Sequence, residues 1–153
     1  MMLLDDAPLL VKLIKGYFSD VDVIWRNREK IRRLQDKRLR KVVRYAYNVP
    51  LYHNKYKELG IRPEDINGVH DIKKLPVITK DDIRNNFPDG VVAPGYNRDR
   101  AEKLSTSGST GKPITIYVDR FSILQSIIAY VRILKAYGER WNKTRITIIA
   151  DTA

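Results

Sequence analysis

The apolar positions of this chain fall into two textures, a helical one in front and an extended one behind. Leu9, Leu10, Leu13, Ile14, Tyr17 and Phe18 recur at a spacing near four, so an amphipathic helix is predicted after Pro8. A longer helix is predicted from about Trp25 to Tyr47. Ile31, Leu34, Leu39, Val42, Val43 and Ala46 lie near one face of it, and Arg32, Arg33, Lys37, Arg38, Arg40, Lys41 and Arg44 cover the rest. Pro50 ends that helix, and VPLYHNKYKELGI gives a short one closed by Gly60. Residues 61–78 read as a loop-rich connection. Thr79 and Asp82 then have the spacing of a capping box, with Asp81 and Asp82 at the positive end of the helix dipole, and Phe87 and Pro88 close that element.

From residue 89 the period changes. DGVVAPGYNRDR is turn-forming, and AEKLS starts a strand. Ile114, Ile116 and Val118 alternate with Thr115, Tyr117 and Asp119, the period-two pattern that predicts a half-buried strand. Asp119 or Ser122 can cap a helix that runs to Tyr137, with Leu124, Ile127, Ile128, Val131 and Leu134 as its inner face. Gly138 sits where a left-handed residue stops helices. Arg145 to Ala150, RITIIA, reads as a buried strand. The expected class is α/β, with a helical amino-terminal part followed by strands and a helix.

Composition narrows the function without choosing it. The chain of 153 residues is 43% hydrophobic, enough for one domain with a core. Lys and Arg number 29 against 18 acidic residues, and the net charge of +11 suits nucleotides, nucleic acid, anionic lipid or acidic partners. With no cysteine there is no disulfide framework, thiolate metal site or cysteine nucleophile, which fits a reducing cytoplasm. The leading MMLLDDAPLLVKLIKGYF has aspartates where a signal peptide carries positive charge, and lysines interrupt its apolar run, so neither secretion nor a membrane span is expected.

The chemistry concentrates in STSGSTGKPITIYVDR, residues 105–120. It is not a Walker A loop: Gly108 and Gly111 are too close together, Pro113 stands where the final hydroxyl belongs, and a strand follows instead of a helix. The dinucleotide fingerprint G-x-G-x-x-G is absent. Yet Ser105, Thr106, Ser107, Ser109 and Thr110 supply hydroxyl donors, Gly108 and Gly111 admit close backbone approach, and Lys112 supplies charge. Two readings stay open at the level of residue types, a phosphate-binding loop and a solvated hairpin turn.

Thr106 to Pro113, TSGSTGKP, resembles the phosphate-binding signature of the adenylate-forming superfamily, and lysine before proline is similar to its branch of phenylacetate-CoA ligases, coenzyme F390 synthetases and CapK-type proteins. LQDKRLRKVVRYAYNVPLYHNKYKELGI and KKLPVITKDDIRNNFP resemble the segments that precede the loop there. The resemblance covers about residues 25–153 and leaves a helix over 1–24 outside. It implies the amino-terminal, incomplete portion of an AMP-binding domain of a ligase. Many superfamily members carry lysine after the proline, where this chain has Ile114, so Lys112 is the loop's one lysine.

The implied activity has two half-reactions: a carboxylate, aryl or acyl, attacks the α-phosphate of ATP, and a thiol, commonly that of coenzyme A, then displaces AMP. Alternatively, as in the F390 synthetases, a nucleotidyl group passes to a deazaflavin hydroxyl. Thr106, Ser107, Gly108, Ser109, Thr110, Gly111 and Lys112 are the implied phosphate-binding residues. The Mg2+ ligands, the other nucleotide contacts and the mobile-domain lysine are expected in sequence that follows, so the chain alone is expected to be inactive and cytoplasmic.

The competing reading is a noncatalytic basic module that keeps only the scaffold. His53 and His70 have no second ligand at metal spacing, and the tyrosines at 45, 47, 52 and 56 fit half-buried helix positions as well as a nucleic-acid surface. No nucleic-acid partner is expected, and the basic helix reads as a solvated face. Self-association is expected, because the apolar strand 145–150 would otherwise lack neighbours.

Overall fold

A computed structural model describes residues 25–106, 112–140 and 142–145, with Val11, Lys15, Asp22 and Thr147. The chain divides into two compact units, one of Arg26–Arg120 and one of Met1–Trp25 with Phe121–Ala153. The strand expected over 145–150 and the helix expected over 1–24 lie, but for a few positions, outside the described residues; Val11 and Lys15 are helical.

In the first unit, helix α1 spans Arg28–Ala46. It begins where Asn27 Oδ1 accepts the amides of Glu29 and Lys30, a side-chain cap that Trp25 could not supply. Helix α2, Pro50–Glu58, starts on proline, whose missing N–H costs nothing in a first turn. It ends on Gly60 at φ 65°: Gly60 N–H reaches Lys57 O and Ile61 N–H reaches Tyr56 O, a Schellman closure. Ile61 thereby turns back onto the core beside Tyr56.

The connection 61–78 is more ordered than expected, because 3₁₀ turns at Pro63–Asp65 and Val69–Lys74 lay Ile66 inside. Val43 and Ile66 are each 1% exposed and, with Ala46 and Tyr56, form the core, packed by Leu39, Tyr47, Tyr52, Ile61 and Leu75. Two polar ties hold α1 to this connection. Asp36 Oδ1 accepts the Val69 amide at 2.8 Å, and Arg40 donates to Asn67 O at 2.5 Å. Gly68 is needed for the close approach: a Cβ there would lie 2.5 Å from Asp36 Oδ1. Buried Asp71 accepts the Asn67 amide and pairs with Lys74 at 2.7 Å, contacts that hold its carboxyl below the usual range.

Helix α3, Lys80–Asn86, has the expected capping box. Asp82 accepts from the Thr79 amide, the Thr79 hydroxyl and Lys55, and its pKa falls to about 2. After the cis Phe87–Pro88 bond the chain turns through 89–100. Strands β1, Ala101–Ser105, and β2, Thr115–Asp119, then pair antiparallel with Ala101 opposite Asp119 and Ser105 opposite Thr115.

Ile114 and Val118 are half-buried, but one position departs from the alternation. Ile116 is 43% exposed, whereas Tyr117 is half-buried and stacks on Phe87 with ring centroids 5.2 Å apart. Phe87 offers an aromatic plane to the polar-labelled side, and a tyrosine ring fills it better than an isoleucine.

Helix α4, Arg120–Ala136, carries most of the second unit's described residues. It ends in the same way as α2: Gly138 at φ 80° lets its amide reach Lys135 O and the Glu139 amide reach Leu134 O. Lys135 pairs with Asp22 and lies over the Trp25 ring. Leu124, Ile128, Val131 and Leu134 are half-buried as expected, but Ile127 is 54% exposed. No residue of α4 is fully buried.

Candidate functional site

The segment singled out by its hydroxyls, glycines and lysine is the connection between β1 and β2. The pairing register runs up to its mouth. Ser105 and Thr115 share a hydroxyl–hydroxyl hydrogen bond of 2.7 Å on the last rung of the ladder. One residue further, the Thr106 amide donates to Ile114 O at 3.0 Å, and the Ile114 amide donates to Thr106 Oγ1 at 3.2 Å. Thr106 and Ile114 therefore close the loop with a two-way clasp. Ser107, Gly108, Ser109, Thr110 and Gly111 lie outside the described residues. Thr106 and Lys112 are described, and both are exposed.

This geometry changes the role open to Thr106. Its amide is committed to Ile114 O, and its hydroxyl oxygen accepts the Ile114 amide, so it braces the stem and has its O–H left to donate outward. Lys112 leaves the loop just before Pro113, whose ring fixes φ and removes a donor from the chain's re-entry into the clasp. Among the described residues the Lys112 ammonium has no ion pair. The loop is thus carried on a hydrogen-bonded two-stranded stem, with one cation at its exit.

Beneath the stem lies a cluster that periodicity did not reveal. Tyr117 stacks on Phe87, with the Arg98 guanidinium 5.8 Å and the Lys103 ammonium 5.9 Å from the centre of its ring. Arg98 is itself held by Asp89 at 2.5 Å, which raises its already high pKa. Phe87 ends α3 and Asp89 and Arg98 lie in the turn-rich segment, so the hairpin is propped by residues three to fourteen positions upstream of Ala101, where the strand pairing begins. The sole hint in the sequence was an aromatic at an alternating position otherwise filled by Thr115 and Asp119.

The same turn-rich segment walls a cavity of about 390 Å³, with Pro50, Val92, Pro94 and Tyr96 among its apolar lining and Asn97 and Arg98 among its polar lining. Burial, Asp119 and Tyr45 raise the Tyr96 phenol above its ordinary value.

The histidines have structural partners. His53 Nδ1 lies 3.0 Å from Tyr47 O, and His70 Nε2 lies 3.2 Å from Asp71. Among the described residues there is no group of three or more His, Cys, Asp or Glu able to hold a metal ion.

Known proteins converge on one family. The chain is 33% identical over 115 residues to a phenylacetate-coenzyme A ligase of Thermus thermophilus, a match covering 74% of this chain and 25% of that protein. It is likewise 33% identical over 112 residues to the phenylacetate-coenzyme A ligase of Escherichia coli, covering 72% and 25%. Protein CapK of Staphylococcus aureus is 30% identical over 122 residues, covering 79% and 26%. Among solved structures, a 2-hydroxyisobutyryl-CoA ligase in its postadenylation state with 2-HIB-AMP superposes with a TM-score of 0.63 at 24% identity, over 74% of this chain and 24% of that one. That likeness concerns the fold. No family model matches the chain.

Over the matched segment the chain belongs to the adenylate-forming ligases, in the group that holds the phenylacetate-coenzyme A ligases and CapK. It spans about a quarter of the length of these curated relatives.

Proposed function

We propose that the β1–β2 loop holds the β- and γ-phosphates of ATP during the adenylating half-reaction of a ligase that activates a carboxylate, with coenzyme A as the acceptor that follows. The observation that supports this most is the clasp. The Thr106–Ile114 pair and the Ser105–Thr115 hydroxyl bond fix both ends of a loop rich in donors and leave Lys112 exposed at its exit. A hairpin turn that only reversed the chain would need no such concentration of hydroxyls, glycines and one lysine.

In this reading Ser107, Ser109 and Thr110 donate hydroxyls, Gly108 and Gly111 admit the phosphates close to backbone amides, and Thr106 and Lys112 guard the two ends. A carboxylate oxygen bonds to the α-phosphorus as the bond to the bridging oxygen breaks, and pyrophosphate leaves with its charge spread over these donors. None of these residues acts as an acid or a base. We assign 25–153 to the AMP-binding domain and the work to the cytoplasm, with ATP, Mg2+ and a small carboxylate as partners. The chain alone, at about a quarter of the relatives' length, is expected to give no ATP–pyrophosphate exchange, because positioning is most of what such a site contributes.

The test uses a chimera in which the matched segment replaces its counterpart in the Thermus thermophilus relative. A charge-assisted contact of an ammonium with a phosphate oxygen is worth about 1.5–3 kcal/mol, so Lys112→Ala should slow adenylation by about tenfold to a hundredfold. Lys112→Arg should recover part of the rate, since a planar fork replaces a compact charge. Thiol transfer from preformed acyl-adenylate should hardly change. Equal losses in both half-reactions, or in neither, would return the loop to a plain turn.

A further inference from the structure

We propose that the hydroxyls of Ser105 and Thr115 are positioning groups: they set how tightly the β1–β2 loop holds phosphate oxygens without touching them, which rests on the phosphate reading of that loop. By residue type Ser105 is one more hydroxyl donor for a ligand. In the fold its hydroxyl is turned across the hairpin to that of Thr115, at 2.7 Å.

The register shows why this pair matters more than its neighbours. Hydrogen-bonded pairs of an antiparallel ladder alternate with pairs whose side chains stand closer. The Thr106 amide donates to Ile114 O, so Thr106–Ile114 is of the first kind and Ser105–Thr115, one step down, is of the second. The next close pair is Lys103–Tyr117, where the ammonium lies 5.9 Å from the ring centre, and the one after it, Ala101–Asp119, has a methyl group on one side. Ser105–Thr115 is thus the one close pair of this ladder joined by a side-chain hydrogen bond.

The pair above it is half open. Its return bond runs from the Ile114 amide to Thr106 Oγ1 at 3.2 Å in place of the Thr106 carbonyl, so Thr106 is tied to the ladder through its amide and its side chain. The spacing of the strands where they enter the loop therefore falls to the pair below. Ser105 adjoins Thr106, and Thr115 stands three residues from Lys112, with Pro113 fixing φ between them. Thr115 is β-branched, so its χ1 is stiff and holds the hydroxyl toward Ser105. Without the bond the two ends part more often, a smaller fraction of molecules has the loop arranged for phosphate, and the apparent dissociation constant rises by the same factor. A hydroxyl pair across two strands shifts that fraction about twofold to fivefold.

Titration of the full 153-residue chain with inorganic pyrophosphate, followed by NMR through the amides of Thr106, Lys112 and Ile114, tests this. The parent chain should bind saturably, and Lys112→Ala should weaken the binding. Ser105→Ala and Thr115→Val should each raise the dissociation constant about twofold to fivefold, and the double variant should do no worse than the weaker single, since one bond is lost in all three. Ser105→Thr and Thr115→Ser, which keep both hydroxyls, should bind as the parent does. Val118→Ala, toward the far end of the same ladder, should leave the affinity unchanged. Unchanged amide shifts over residues 102–104 check that the hairpin persists, and if Thr115→Val loses it, Ser105→Ala alone should show the rise. Binding that Lys112→Ala weakens and the hydroxyl variants do not overturns this inference and leaves the loop reading standing. Equal weakening by Val118→Ala also overturns it and returns the pair to general hairpin stability. No saturable binding, or binding indifferent to Lys112→Ala, overturns the loop reading and this inference together.

Discussion

The segment from α1 to α3 and the helix α4 are both helical and both rich in apolar residues, yet they end up differently. Around Ile66 the chain returns on itself within a few dozen residues, and Val43 and Ile66 reach 1% exposure. Along α4 no residue is fully buried, and Ile123, Ile127, Tyr130, Ile133 and Tyr137 remain 40–82% exposed on one flank. The first segment finds its cover locally because two turns fold the connection back across α1. For α4 the described residues supply only partial cover, and the apolar flank is the kind of surface that another chain or another copy would fill. Burial therefore follows from where the chain returns, and apolar content alone does not secure it.

The sharpest way to break this contrast is to truncate both sides equally. Ile66→Ala should cost about 2–5 kcal/mol in urea unfolding followed by circular dichroism, since the side chain is fully enclosed. Ile127→Ala should cost less than about 0.5 kcal/mol in the same experiment. Comparable losses at the two sites would mean that α4 is as well covered as the core.

Gly68→Ala comes next in size. Its methyl group would displace the Asp36 carboxylate from the Val69 amide, a loss of about 1 kcal/mol. Asp36→Ala should largely absorb that penalty in the double variant, and simple addition of the two losses would sink the explanation.

The pH dependence is smaller and has a definite sign. Asp82 titrates at about 2 in the fold, held down chiefly by the Thr79 amide, then by its hydroxyl and Lys55. Its contribution is complete above the unfolded carboxylate pKa of about 4 and disappears as pH falls through about 2. Asp82→Asn should flatten stability over that window, and an unchanged acid limb would remove Asp82 from the account.

The smallest effect on stability should be the clearest on assembly. We expect the chain to self-associate through its apolar α4 flank, and Ile127→Ser with Ile133→Ser should move it toward monomer in sedimentation velocity at micromolar concentration. A parent chain that is already monomeric would count against this.

What could be read beforehand was whatever depends on neighbours in the chain. The Thr79–Asp82 box, the stops at Gly60 and Gly138 and the strand over 115–119 are encoded within a turn or a strand, and all appear in the structure. The exposure of Ile116 and the stacking of Tyr117 on Phe87 were not legible, because a period of two defines two sides without saying where Phe87 will be. Asp36 with Val69, and Asp89 with Arg98, are matched by the fold across 33 and 9 positions, and no local spacing announces them. The loop was conspicuous by residue type. Its bracing by Thr106 and Ile114 was not, since a threonine in a run of hydroxyls gives no sign that its own is turned inward.

The ties from Asp36 and Arg40 to residues 67–69 have a rotational consequence. They sit about one turn apart on the same side of α1 and so stop the cylinder from rolling about its axis. Each residue added to a helix turns everything beyond it by about 100°. A single alanine inserted between Arg40 and Lys41 would leave Lys30, Arg33 and Lys37 in place and swing Lys41 and Arg44 about a quarter-turn out of line. It would also carry Val43 away from Ile66. The phase of the helix is therefore shared property: the core and the placing of the exposed cations Lys30, Arg33, Lys37, Lys41 and Arg44 are set by the same two fastenings, and neither can be re-indexed without the other.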